Sequence, residues 1–205
     1  MTSSPIIAHR LIGNRAHYPR GYEGYQRYKQ WLRDEFQFTC VYCLHRETWD
    51  HAGHRSFSVE HKEPQSKNGE NTHDYMNLVY ACVFCNSCRQ DIEIPDPESE
   101  AFSDHLTLLK TGRFQARTAK GRDLIDTLYL NESSRVRMRN MMLQVVDNWS
   151  ASISGVNEGF KRFFEYPDDM PDLRGKRPPG GNAIAGSEDD CHYARRERGE
   201  LAQWF

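Results

Sequence analysis

The sequence predicts an α+β fold: a small strand-and-helix core, with mainly α-helical segments before and after it. Three observations predict it. Two Cys-x-x-Cys pairs, Cys40/Cys43 and Cys82/Cys85, bracket a polar stretch. Within that stretch, Ser56–Glu60 alternates polar and apolar residues as a half-buried strand does. On either side, Tyr22–Phe36 and Arg135–Trp149 repeat apolar residues at helical spacing.

The chain has 205 residues, a formal net charge of −2 and 38% hydrophobic residues. That suits one modest core with arms. The expected division is an N-terminal arm (1–21), a core (22–100), a helical extension (101–166) and a flexible tail (167–205). No apolar run approaches the roughly 18 residues of a membrane span, and no secretory leader is apparent, so a cytoplasmic protein with reduced thiols and no membrane partner is expected.

The cysteines come first in the argument. One Cys-x-x-Cys pair fits a redox dithiol as well as a metal. Two pairs make a closed set of four thiols, Cys40, Cys43, Cys82 and Cys85, and thiolates at that spacing suit tetrahedral Zn2+ in a structural site. The plainer alternative is four buried or disulfide-bonded cysteines. Between the pairs, His61 ends the strand, Pro64 stops it and Asn68-Gly69 marks a turn. Asn77 opens the next segment, where Leu78, Val79, Ala81, Cys82 and Cys85 recur at near-helical spacing, and Cys82–Asp91 is expected to be a helix. Strand, loop and helix together would gather Glu60, His61, Asn77 and Asn86.

In these residues the chain resembles the HNH endonucleases, the zinc-stapled branch of the His-Me-finger nucleases. The family pattern is Cys-x-x-Cys, an acidic residue with His, then Asn, then Cys-x-x-Cys followed by His or Asn. Here Cys40, Cys43, Glu60, His61, Asn77, Cys82, Cys85 and Asn86 fill it. Two positions depart from the commoner form: Asn86 replaces His, and Glu60 stands where Asp is more usual. The resemblance implies a ββα-metal core and phosphodiester hydrolysis in DNA. His61 would be the general base. Glu60 and Asn86 would give oxygen ligands to a catalytic Mg2+ or Mn2+. Asn77 would orient the loop that carries His61. The chemistry asks for these types, because an imidazole that is neutral near pH 7 can accept a proton from water, and a hard cation takes oxygen donors. The plain readings are a surface histidine at a strand end, a helix-capping Asn77 and a surface amide at Asn86.

The flanks supply context. Residues 56–100 are acidic, and the segments on either side are mildly basic. Acid at the centre suits a cation, and basic flanks suit phosphates, with ordinary solvated surface as the alternative. Arg10, Arg15 and Arg20 in the arm could touch DNA. Arg113, Arg117, Lys120, Arg122, Arg135, Arg137 and Arg139 are further candidates for backbone grip. Tyr25, Tyr28, Leu32 and Phe36, with Trp31, form one helical face and are assigned to packing. His45, His51 and His54 are expected in an exposed loop, with His51 or His54 near phosphate. Cys88 is expected as a small hydrophobe or alternative ligand, and Cys191 as a lone tail thiol.

Asp91–Glu100 reads as an acidic connector and Thr111-Gly112-Arg113 as a turn. Thr118–Leu130 is expected to be helical from about Gly121, with Ser133 or Ser134 capping the next helix. In that helix Met138, Met141, Met142, Val145, Val146 and Trp149 form a stripe that is either core or a homodimer seam. Glu158–Tyr166 is a short helix candidate. The tail is rich in proline and glycine, and Trp204 and Phe205 at its end could dock back or bind a partner. Three readings follow: a nuclease, a zinc-stapled nucleic-acid-binding module without cleavage, and a protein adaptor. DNA is the expected partner and RNA the alternative. A partner ATPase or other targeting protein could supply specificity, in phage defence or another role.

Overall fold

Strand β1 (Phe57–His61) pairs antiparallel with β2 (Leu78–Cys82), with Phe57 opposite Cys82 and His61 opposite Leu78. The computed structural model describes residues 14–67, 72–100, 102–150, 160 and 162–202. Arg10, the Asn68-Gly69 turn, the side chain of Trp149, part of Glu158–Tyr166, and Trp204 and Phe205 lie outside them.

Helix α1 (Lys29–Glu35) follows a 3-10 turn at Tyr25–Tyr28 and packs on the hairpin. Tyr28, Trp31, Leu32 and Phe36 are buried as their spacing predicts, while Tyr25 is only partly covered. Arg33 grips Glu47 through two nitrogens at 3.0 and 2.8 Å, and the Tyr80 hydroxyl donates to the same carboxylate at 2.6 Å. That buried network joins α1, the 47–49 turn and β2, and a guanidinium fork matches a carboxylate well.

Helix α2 (Val83–Arg89) leaves β2 directly and packs across β1. The helical spacing of Leu78, Val79, Ala81 and Cys82 is here a strand. Every residue of β2 is buried, so both of its faces are apolar and period-two alternation is lost.

Beyond the connector, α3 (Phe102–His105) leads into a second antiparallel pair, β3 (Leu106–Leu108) and β4 (Phe114–Ala116), joined through Gly112. Gly112 has φ +78°, and a Cβ there would lie 2.4 Å from the Val136 carbonyl oxygen, so this turn requires glycine. Helix α4 (Ala119–Thr127) starts before Gly121, because the Thr118 hydroxyl caps it by accepting from Gly121 N. Helix α5 (Ser133–Ser150) is capped by Glu132 rather than by Ser133 or Ser134: its carboxylate accepts from Ser134 N and Arg135 N. Its inner stripe is Met142, Leu143, Val145 and Val146, with Met138 partly buried and Met141 exposed. Burial of most of that stripe within one chain fits core rather than a dimer seam.

The tail expected to be flexible carries Met170, Leu173, Cys191 and Ala194 into buried positions and ends in α6 (His192–Glu197). Proline and glycine there shape a packed path, tied down by Gly180 N to Arg20 O and Arg20 N to Gly181 O, both 2.9 Å. Among the described residues no helix is long and apolar enough to cross a membrane.

Candidate active site and metal centre

The four cysteines converge from two turns. Cys40 N donates to His45 O at 2.8 Å, and Leu44, at φ +65°, closes a knuckle whose Val41 N donates to Tyr80 O at 3.0 Å. The second pair spans the junction of β2 and α2. Ligand atoms of Cys40, Cys43, Cys82 and Cys85 all lie within 4.8 Å of one another, and all four residues are buried. Cys43 Sγ is 3.7 Å from Cys82 Sγ. Metal–sulfur bonds of about 2.3 Å would give a tetrahedron with edges of about 3.8 Å, so the set fits zinc.

Arg135 completes this centre. Its guanidinium donates to Cys43 Sγ at 3.0 Å and Cys82 Sγ at 3.5 Å, and lies over the Phe84 ring. Burial opposes its charge, yet the thiolates hold it above the ordinary guanidinium range. Four thiolates around one Zn2+ would leave a net negative centre, which this cation would partly offset. Arg135 therefore faces inward and is not a DNA grip. Arg139 also turns inward, donating to the Gly112 and Leu130 carbonyls, and burial pulls its pKa down to about 10. Arg15, expected to touch DNA, is bound to Glu98 and the Leu78 carbonyl. Arg113, Arg117, Lys120, Arg122 and Arg137 remain exposed.

Successive strand residues point to opposite faces. Ser58 and Glu60 face α2, where Asn86 Nδ2 donates to Ser58 Oγ at 2.8 Å and Arg89 donates to Glu60. His61 lies on the other face, with its ring 4.6 Å from that of Tyr25 in an edge-on contact. The structure therefore places Glu60 and Asn86 on one side of β1 and the imidazole on the other, at the strand's last residue.

The imidazole is not set in an apolar interior. His61 Nε2 is 3.0 Å from the Thr72 carbonyl oxygen, and the Gln65 amide lies beside the ring. A carbonyl only accepts, so Nε2 carries the proton and Nδ1 keeps its lone pair. Burial lowers the pKa of His61, Arg89 and His73 lower it further, and the Thr72 contact opposes them. The ring is accordingly neutral near pH 7.

Asn77 holds the chain just beyond His61. Its Oδ1 accepts from Glu63 N at 2.9 Å, its Nδ2 donates to Glu63 O at 3.4 Å, and its own carbonyl accepts from Lys62 N at 2.8 Å. The turn at Tyr75–Asn77 is capped by Asp74 instead, so the capping reading of Asn77 is not what the structure shows.

Glu60 is 6% exposed. Burial raises its pKa against the opposing pull of Arg89. For a hard cation, Glu60 and Asn86 fit in donor chemistry: a carboxylate and an amide, on facing elements, where the carboxylate already meets positive charge. Sequence reasoning missed Arg89, Tyr25 as a partner of His61, and Arg135 at the thiolates. An arginine three residues after Asn86 shares its helical face, which was the available signal for Arg89. Of the loop histidines, His51 is exposed and His45 stacks on Phe57. Cys88 stands outside the four-cysteine cluster.

The family model described as HNH endonuclease matches residues 40–91. No curated protein matches the chain.

Proposed function

With an HNH endonuclease domain spanning residues 40–91, we propose that this protein is a metal-dependent endonuclease that hydrolyses phosphodiester bonds in DNA. The observation that carries the reading is the state of His61: one ring nitrogen anchored to a backbone carbonyl, the other unprotonated, with the Gln65 amide nitrogen 3.4 Å away. That is what a general base requires.

In this reading His61 Nδ1 takes a proton from a water that attacks phosphorus. A P–O bond forms to that water as the bond to the 3′ oxygen breaks. The Thr72 carbonyl keeps the ring in the right tautomer, and Asn77 fixes the turn behind it, as a group that orients rather than reacts. Glu60 and Asn86, on the other face of β1, would hold Mg2+ or Mn2+ near the strand's end. A phosphate lying across that end would meet both the ring and the ion, which would supply charge neutralisation at the phosphate and at the leaving oxygen. Cys40, Cys43, Cys82 and Cys85 would hold Zn2+ as a structural staple, with Arg135 offsetting part of its negative charge. The exposed arginines around β4, α4 and α5 are suited to phosphate contacts, with their exposure as the support.

Plasmid DNA incubated with the zinc-loaded protein and Mg2+ or Mn2+ tests this. Conversion to nicked or linear forms by the wild type, and its loss in His61→Ala, are expected. Intact plasmid under every divalent metal would overturn the reading and favour a binding module.

A further inference from the structure

Arg89 ends α2 on the helical face that also carries Asn86, and it is 1% exposed. Its guanidinium donates to the Glu60 carboxylate and to the carbonyl oxygens of His61 and Lys62. Three oxygens, from the last two residues of β1 and from Lys62 directly after it, thus surround one positive charge. Its Nε, also buried, meets no acceptor among the described residues. The guanidinium is held by the oxygens it reaches and is not fully matched to its surroundings.

An oxygen cradle of one carboxylate and two backbone carbonyls is also the kind of surface a hard divalent cation binds. Two cations cannot share one buried carboxylate without strong repulsion, since little water screens them there. We propose that Arg89 competes with the divalent cation for the Glu60 carboxylate, so that the ion loads only as the guanidinium withdraws. This rests on Glu60 being a cation ligand. Arg89 is then a positioning residue in the unloaded state, clamping the main chain of His61 and Lys62. It also sets the metal concentration at which the site fills. Asn86, bonded to Ser58 on the same face, is free to turn its amide oxygen to an incoming ion without breaking the hairpin.

The test reads metal and not turnover. The zinc-loaded full chain is titrated with Mn2+, and free Mn2+ is followed by electron paramagnetic resonance for wild type, Arg89→Met and Arg89→Met combined with Glu60→Gln. Thermal melting checks that each is folded. Arg89→Met is expected to bind Mn2+ at least tenfold more tightly than wild type, and adding Glu60→Gln is expected to abolish the gain. A folded Arg89→Met that binds Mn2+ no more tightly than wild type overturns the proposal, and so does a gain that survives Glu60→Gln. Should Arg89→Met fail to fold, Arg89→Gln decides the matter. A glutamine keeps an amide donor for the backbone carbonyls but loses the charge, so binding tighter than wild type supports competition and unchanged binding overturns it. Failure of plasmid cleavage would leave these affinities as they are, so the two proposals fail separately.

Discussion

The imidazole of His61 is set by the Thr72 carbonyl at Nε2, the Gln65 amide beside the ring, the Tyr25 ring on the same face, and the Asn77-bound turn that follows it. In the proposed reading these groups orient the ring and do not react, so their removal should misplace the base without abolishing the fold. Asn77→Ala is expected to lower kcat for DNA cleavage roughly 10–100-fold, the range seen when an orienting hydrogen bond is lost. Its melting temperature should stay near that of the wild type. Steady-state kinetics beside a melting curve separate the two effects. A fall in kcat that merely tracks unfolding would remove the positioning role. Residue types were the legible part of this site. Glu60, His61 and Asn77 between the cysteine pairs, and Asn86 directly after them, stand out in the sequence because they fill the positions of the pattern that the chain resembles. Their orientations were not legible. Whether Glu60 meets a metal or Arg89 depends on which side chains share a face after α2 has packed on β1.

At the scale of elements, the cysteines join a knuckle, a strand end and a helix start that share few backbone bonds. The thiolate centre should therefore carry much of the core's stability. Metal analysis is expected to find about one zinc per chain, and strong chelation or Cys82→Ser to unfold the core, seen as loss of near-ultraviolet circular dichroism. A zinc-free chain that keeps its native spectrum would refute the staple. Arg135→Ala should leave zinc bound but lost at lower chelator concentration, because a buried negative centre would lose its counter-charge. Both cysteine pairs and the run of β1 are readable in the sequence, since each follows a short local rule. Strand β2 is not, because burial on both faces erases alternation. The cap of α5 is not either, since Glu132 reaches the free amides that Ser133 and Ser134 are spaced to meet.

Across the whole molecule, one carboxylate ties the ends together. Asp34 of α1 is 2.9 Å from His17 Nε2 and accepts from His192 N at 2.8 Å, joining the arm, the helix and the tail. Burial would raise the Asp34 pKa, but hydrogen bonds from His17 and His192 draw it down to about 2, against an ordinary 3.8. The folded state therefore favours the charged form. Its contribution is complete above the ordinary value and is lost as pH falls from about 4 through about 2. A shift of this size corresponds to about 2 kcal/mol. Asp34→Asn should lower unfolding free energy by about that amount at pH 7 and by much less near pH 2, measured by urea titration. An equal loss at both values would show that the charge is not the cause. The contact was hidden in the sequence because its partners lie at opposite ends of the chain, and the proline- and glycine-rich composition of the tail disguised a packed segment. Composition reports the cost of ordering a chain and not the buried contacts, such as Leu173 and Cys191, that offset it.

Chemical rescue tests the role of His61 most directly. Cleavage of a defined DNA duplex is timed for wild type and His61→Ala, with and without added imidazole. The expected result is a loss on the order of 10²–10⁴-fold, partly recovered as imidazole rises, with folding unchanged. A His61→Ala protein that cuts at the wild-type rate would contradict the account.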